Sequence, residues 1–223
     1  MTHIASTIKA LHQELPKGVE LVAVSKYHSV DDIRTAYDAG QRIFGESHEQ
    51  ELRVKVPALP SDIEWHFIGH LQTNKVKYIV PYINLVHSVD SLHLLQEIDK
   101  QARKCGRCID CLLQLHVAQE ETKYGFTVDE ARKLLSSGIW SEMLGVQIAG
   151  IMCMASNTDN EERIARDFDV AHAFFQEAKS TWMANNEAFH ICSWGMSDDY
   201  TIAIKHGSTH VRIGSKIFGE RQY

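Results

Sequence analysis

The segment LVAVSKYHS places a lysine, Lys26, directly after an apolar run of Leu, Val, Ala and Val. An ammonium group is rarely carried into apolar surroundings, because desolvation disfavours its charged form. The same desolvation supplies a neutral amine able to attack a carbonyl, which makes Lys26 a candidate nucleophile. The plainer reading is a lysine whose stem follows a strand end while its ammonium stays in water. Near the other end of the chain, WGMSDDYTIAIKHG offers Gly195 for a tight turn, Ser197 as a helix cap and free backbone N–H groups at the helix start. RIGSKIFGE follows, with Gly214 permitting close backbone approach and Ser215 adding a hydroxyl. Two such bends suit a phosphate, although each is also an ordinary turn. Asp198 and Asp199 complement a helix dipole unaided and would repel a phosphate, so the anion-binding reading requires both to face away. Arg212 stands within a β-rich run and cannot shed its proton. Its guanidinium suits a phosphate, a ring-nitrogen acceptor, or an internal ion pair with a carboxylate such as Glu46.

These residues need a frame that brings position 26 together with the bends near 195 and 214. Apolar runs over 20–26, 42–47, 64–69, 85–89, 108–117, 146–154, 188–194 and 210–214 read as strands, with helical patterns between them. About eight strands alternating with helices predict an α/β fold, a single (β/α)8 TIM barrel spanning 1–223 as one domain. Ile4, Ile8, Leu11 and Leu15 add an extra N-terminal helix. Ser29 caps a helix that Gly40 stops, and Thr127 to Gly138 repeats that logic. The longest helix, 160–183, aligns Ile164, Phe168, Ala171, Phe174, Phe175 and Ala178 near one face. The competing architecture, an open doubly wound sheet, expects a glycine-rich turn after the first strand, where this chain has Lys26 and Tyr27. In a barrel, Lys26 lies at the C-terminal mouth, and the loops after strands seven and eight frequently hold a phosphate. An amine for an aldehyde, a phosphate grip and a fixed cation for a ring nitrogen together describe a pyridoxal 5'-phosphate site.

Bulk properties narrow the partners. The formal net charge of -6, without a Lys/Arg block, argues against nucleic acid and anionic membranes, because counterion release needs clustered positive charge. The first residues lack the continuous apolar core of a signal peptide, and no segment approaches the roughly 20 apolar residues of a membrane span. A cytoplasmic protein with small-molecule partners is the expectation. Five cysteines, an odd number, do not suggest a disulfide framework. Cys105, Cys108 and Cys111 have a spacing open to an iron–sulfur cluster, but their segment runs into an extended strand that cannot wrap ligands around one point. None of the 13 histidines forms a compact ligand pair, so no metal is expected.

VAVSK, FGES, WHFIGHLQTNK, GMSDDY and AIKHGSTHVRIGSKIFG together resemble the YggS/PROSC family of pyridoxal phosphate homeostasis proteins, from about residue 5 to the end. The resemblance implies the fold-type III barrel of alanine racemase, binding the cofactor without established turnover. It implies Lys26 as the Schiff-base lysine, and Ser197, Gly214 and Ser215 at the phosphate with Gly195 and Met196 beside them. It places Arg212 near the pyridine nitrogen, and Ser47 and His66 among the further cofactor contacts. Ser47 and His48 stand where the family usually has Asn and Tyr, and His70 stands where proline is common. A charged donor at the ring nitrogen leaves that nitrogen unprotonated, which makes the cofactor a poor electron sink. A carrier that buffers pyridoxal phosphate, with PLP-dependent apo-enzymes as possible recipients, is therefore the leading expectation, and a monomer is the expected state. A racemase or decarboxylase needs a proton donor opposite Lys26. Alanine racemases take it from an additional β domain, whereas about nine residues follow strand eight here, with Tyr223 or a mouth histidine as substitutes. A Schiff-base aldolase without cofactor shares the lysine and the phosphate grip.

Overall fold

The computed structural model describes residues 2–119 and 124–219, so Tyr223 lies outside the described residues. Among them, eight parallel strands close a barrel in chain order. They are β1 (Glu20–Val24), β2 (Ile43–Glu46), β3 (Glu64–Phe67), β4 (Leu85–Val89), β5 (Ile109–Leu115), β6 (Val146–Cys153), β7 (Ile191–Ser193) and β8 (His210–Ile213). Leu21 pairs with Val211 and Ala23 with Ile213, joining the first strand to the last and excluding the open doubly wound sheet. The helices are α1 (His3–Glu14), α2 (Val30–Asp38), α3 (Glu49–Lys55), α4 (Val76–Ile79), α5 (Leu92–Lys104), α6 (Val128–Ser137), α7 (Glu161–Thr181), α8 (Tyr200–Lys205) and α9 (Ser215–Phe218).

Local chemistry sets their ends. Ser29 and Asp32 form a reciprocal capping box on α2, and Thr127 and Glu130 form another on α6, which ends at Gly138 with φ 71°. Seven of the eight strands are shorter than their expected runs, and β4 matches its own. β1 stops at Val24, two residues before Lys26, and β7 begins at Ile191 because the preceding residues turn, with the Asn186 side chain accepting the Ala188 N–H.

Period-two alternation sorts the strand side chains into two cores. Leu21, Ala23, Phe44, Trp65, Phe67 and Leu113 face the helices, where Phe168 and Phe174 of α7 meet them. Each such buried Leu or Phe side chain contributes about 1.5–3 kcal/mol. The alternate positions fill the barrel: Leu85, Leu112, Ala149, Met152 and Ile191 form one apolar cluster inside it. The rest of the interior is polar. His66, His87, Ser193, His210 and Arg212 are buried there, a filling that TIM-barrel cores, dominated by Val, Ile and Leu, rarely use.

Candidate functional site

Lys26 occupies a turn at the C-terminal mouth and is half-buried. Both neighbours are pinned. The Ser25 N–H donates to the Gly45 carbonyl at 3.0 Å, and its hydroxyl donates to Glu46 Oε1 at 2.6 Å. Tyr27, with φ 66°, donates its N–H to Glu51 Oε2 at 2.7 Å. A left-handed non-glycine residue costs roughly 1–2 kcal/mol, which this charge-assisted bond offsets. Lys55 ties the arrangement together: its Nζ donates to the Ser25 carbonyl (2.8 Å), Glu46 Oε1 (2.8 Å) and Glu51 Oε2 (2.6 Å). Burial pushes the Glu46 carboxyl up, and Lys55 and Ser25 pull it back. Glu46 is therefore not the counter-ion of Arg212. It lies on the outer face of β2 with Phe44, whereas Arg212 faces the interior.

The two glycine bends meet beside this turn. At Gly195, φ is 92° and an added Cβ would sit 2.6 Å from the Ala203 methyl, so only glycine lets the chain pass. A Cβ on Gly214 would lie 3.2 Å from Val24 Cβ, which sets that bend against the end of β1. The Gly214 N–H points at Ser197 Oγ, 3.3 Å away. Ser197 does not cap α8, as its sequence position suggests: the N-cap is Asp199, and the Ser197 hydroxyl is turned to the other bend instead. Asp199 is buried and accepts the Met196 N–H at 2.5 Å, while Asp198 is exposed. Desolvation pushes the Asp199 carboxyl up. Since the Met196 amide is thus engaged, its exposed side chain is what it offers to the mouth. Ser215 opens α9, and Phe218 of that helix stacks on His28 at 4.7 Å, fastening the last bend to the Lys26 turn.

Arg212 is 5% exposed. Its guanidinium donates to the Ser193 carbonyl (2.8 Å), Ser193 Oγ (2.6 Å) and the Cys153 carbonyl (3.0 Å). Behind Ser193 stands His87, whose Nδ1 is 2.9 Å from Ser193 Oγ and whose Nε2 is 3.0 Å from His66 Nδ1. His66 therefore sits inside the barrel below the mouth, joined to Arg212 through two intermediaries. Burial holds His87 well below the ordinary histidine range and lowers His210 to about 3. Lys55, Glu51, His87 and Ser193 were not among the sequence candidates. Polar residues inside the apolar runs LVHSV and FHICSW were the signal for the last two.

The profile described as alanine racemase, N-terminal domain, matches residues 1–222. The pyridoxal phosphate homeostasis protein of Aquifex aeolicus is 37% identical over 205 residues, 92% of this chain and 88% of its own. The chain belongs to the pyridoxal phosphate homeostasis protein family. A further family member, from Synechocystis, is 36% identical over 93% of this chain and 94% of its own. The solved structure of PipY from Synechococcus elongatus, without PLP, superposes with a TM-score of 0.90 at 35% identity, covering 97% of this chain and all of that one. PipY with PLP bound gives 0.87 at 34% identity over 97% and 100% of the two chains. Alanine racemase from Streptomyces coelicolor shares the fold, with a TM-score of 0.77 at 19% identity over 97% of this chain and 58% of that one. At the positions where this family member carries unusual residues, Ser47 lines a cavity of about 370 Å³ with His48 and Glu49. His70 stacks on Tyr124 at 3.7 Å and pairs with Asp90 at 3.1 Å.

Proposed function

We propose that this chain binds pyridoxal 5'-phosphate reversibly through Lys26 and serves its homeostasis, passing it to PLP-dependent apo-enzymes without turnover of its own. The observation that carries this reading is the meeting of three sequence-distant segments at one mouth. The end of β1, two residues before Lys26, packs on Gly214, and the Gly214 amide faces the Ser197 hydroxyl. The fit to the cofactor is chemical as well as spatial. A Cβ-free approach at Gly214 leaves backbone for an anion, Ser197 and Ser215 add hydroxyls, and Arg212 adds a cation whose bonded acceptors are all neutral. PipY, which has this fold, is known with PLP bound.

Bound pyridoxal phosphate supplies an aldehyde for a lysine amine and an electron-withdrawing ring. In the proposed pose Lys26 presents its amine from a turn pinned on both sides, Ser197 with the Gly214 bend grips the phosphate, and Arg212 donates to the ring nitrogen. Because a guanidinium keeps its proton, it does not protonate that nitrogen, which favours carrying over carbanion chemistry. No helix among the described residues is long and apolar enough to cross a membrane.

Borohydride reduction of the loaded protein followed by peptide mapping should place the cofactor on Lys26, and Lys26→Ala should abolish the adduct; an adduct on another lysine overturns the site. Ser197→Ala should weaken binding by about 1.5–3 kcal/mol, the worth of a hydrogen bond to a charged group. Equilibrium titration at unchanged affinity would remove Ser197 from the grip. L- and D-amino acids in deuterated water should show no α-carbon exchange above the rate of free cofactor.

A further inference from the structure

Arg212 presents a problem of buried charge. Among the described residues no carboxylate lies within ion-pair distance of it, and the acceptors it bonds are two carbonyls and one hydroxyl. A buried cation without a counter-ion is costly. The hydroxyl, however, is the first member of a longer series. Ser193 Oγ is 2.9 Å from His87 Nδ1, His87 Nε2 is 3.0 Å from His66 Nδ1, and His66 Nε2 is 3.2 Å from Glu64 Oε1. Glu64 opens β3 at the N-terminal mouth, where its half-exposed side chain lines a cavity of about 800 Å³.

We propose that His87 and His66 are positioning residues for Arg212, completing a one-way hydrogen-bonded chain through the barrel that links this guanidinium to the Glu64 carboxylate at the opposite mouth. Both ends dictate the same direction. At one end the guanidinium has donors and no acceptor, so Ser193 Oγ must accept from it. The Ser193 proton is then available for His87 Nδ1, which leaves the His87 proton on Nε2, directed at His66 Nδ1. A neutral His66 that accepts there carries its own proton on Nε2, where Glu64 accepts it. From the other end, an ionised carboxylate has no donor, and the His66 N–H holds Glu64 below the usual carboxylate range. Reversing the order at His87 would strand the Ser193 proton and place an imidazolium inside the barrel near a guanidinium. Aligned bonds of this kind polarise one another. Arg212 thereby gains a bonded link to a second carboxylate, beyond the buried Asp199 that acts on it through space without an ion-pair contact.

The consequence for ligand binding rests on the cofactor reading above; the chain itself does not. The first measurement therefore uses cofactor-free protein. Nitrogen-15 NMR should find both His66 and His87 as neutral Nε2–H tautomers at neutral pH, and a proton on His87 Nδ1 overturns the chain. The second measurement is pyridoxal phosphate titration with the absorption maximum of the bound cofactor as a further readout. His87→Leu should weaken affinity about tenfold, the equivalent of one hydrogen bond, and shift the maximum. His87→Asn, which presents an amide oxygen where Nδ1 stood, should restore most of both. Glu64→Gln, at the far mouth, should shift the maximum in the same sense as His87→Leu. Equal losses in the Leu and Asn variants, or no loss in either, would overturn the positioning role. Should His87→Leu not fold, the tautomers and Glu64→Gln still decide. Failure of borohydride to label Lys26 in the parent protein would remove the cofactor reading and leave the tautomer result standing.

Discussion

Two buried cations stand behind one mouth, and they are held in opposite ways. Lys55 lies outside the sheet, where α3 packs on β2, and is locked between the Glu46 and Glu51 carboxylates and the Ser25 carbonyl. Arg212 lies inside the barrel and is held by neutral oxygens. Under the function proposed above, the difference separates a structural charge from one available to a ligand. Lys55 satisfies carboxylates and so shapes the turn that carries Lys26. Arg212 is fixed in place by neutral oxygens, which in the proposed pose would leave its charge for an incoming acceptor. Arginine suits the second task because its planar fork reaches several acceptors at once and retains its proton.

The comparison breaks most visibly at Lys55. Lys55→Met should lower unfolding stability by about 3–5 kcal/mol in denaturant titration, since it leaves Glu46 buried without its partner. Adding Glu46→Gln should recover much of the loss, and a Lys55→Met protein as stable as the parent would show that this cluster does not hold the turn. The next effect concerns acid. His210 faces His66, His190, Glu64 and Arg212 in the barrel and is lowered to about 3 mainly by burial. A folded pKa below the ordinary 6.5 leaves stability unaffected above that pH and removes it as the pH falls from 6.5 towards 3, at up to about 1.4 kcal/mol per pH unit. His210→Gln should flatten the acid limb of the stability profile in that window; an unchanged limb would assign acid sensitivity elsewhere. The smallest effect sharpens the contrast. Arg212→Met should lower stability by about 1–3 kcal/mol, because losing an unpaired buried charge offsets part of the cost of leaving the Ser193 and Cys153 carbonyls without a donor. Its cost should fall on pyridoxal phosphate affinity as well, and a thermal melt together with a titration separates the two.

The barrel was legible because a parallel strand buried on both faces must be a short apolar run, and each run here ends at turn chemistry. The eight expected runs overlap the eight strands, with β1 trimmed at its end, where Lys26 enters a turn, and β7 trimmed chiefly at its start, where the preceding residues turn. Lys26, Gly195 and Gly214 were legible for a related reason: an amine after an apolar run and glycine within a β-to-α bend are locally unusual. Ser197 was noticed for the wrong local role. Its position suits a helix cap, yet its hydroxyl faces Gly214, seventeen residues along the chain. Glu46 shows the converse. As a carboxylate near the mouth it was a plausible partner for Arg212, but the pleat turns it outward, and one residue of alternation decides which cation it meets.

What the amino-acid order determined alone is the inventory of elements and the residues that stand at their ends, because helix caps, bends and apolar periodicity are properties of a few neighbouring residues. What only the closed barrel decided is company. His66 and His87 lie 21 residues apart in sequence, and Ser193 lies 106 residues from His87, yet they bond inside one interior. No local pattern specifies such distant contacts. They follow from strand register and from the inward turn of alternate side chains, which exist only once β8 has returned to β1.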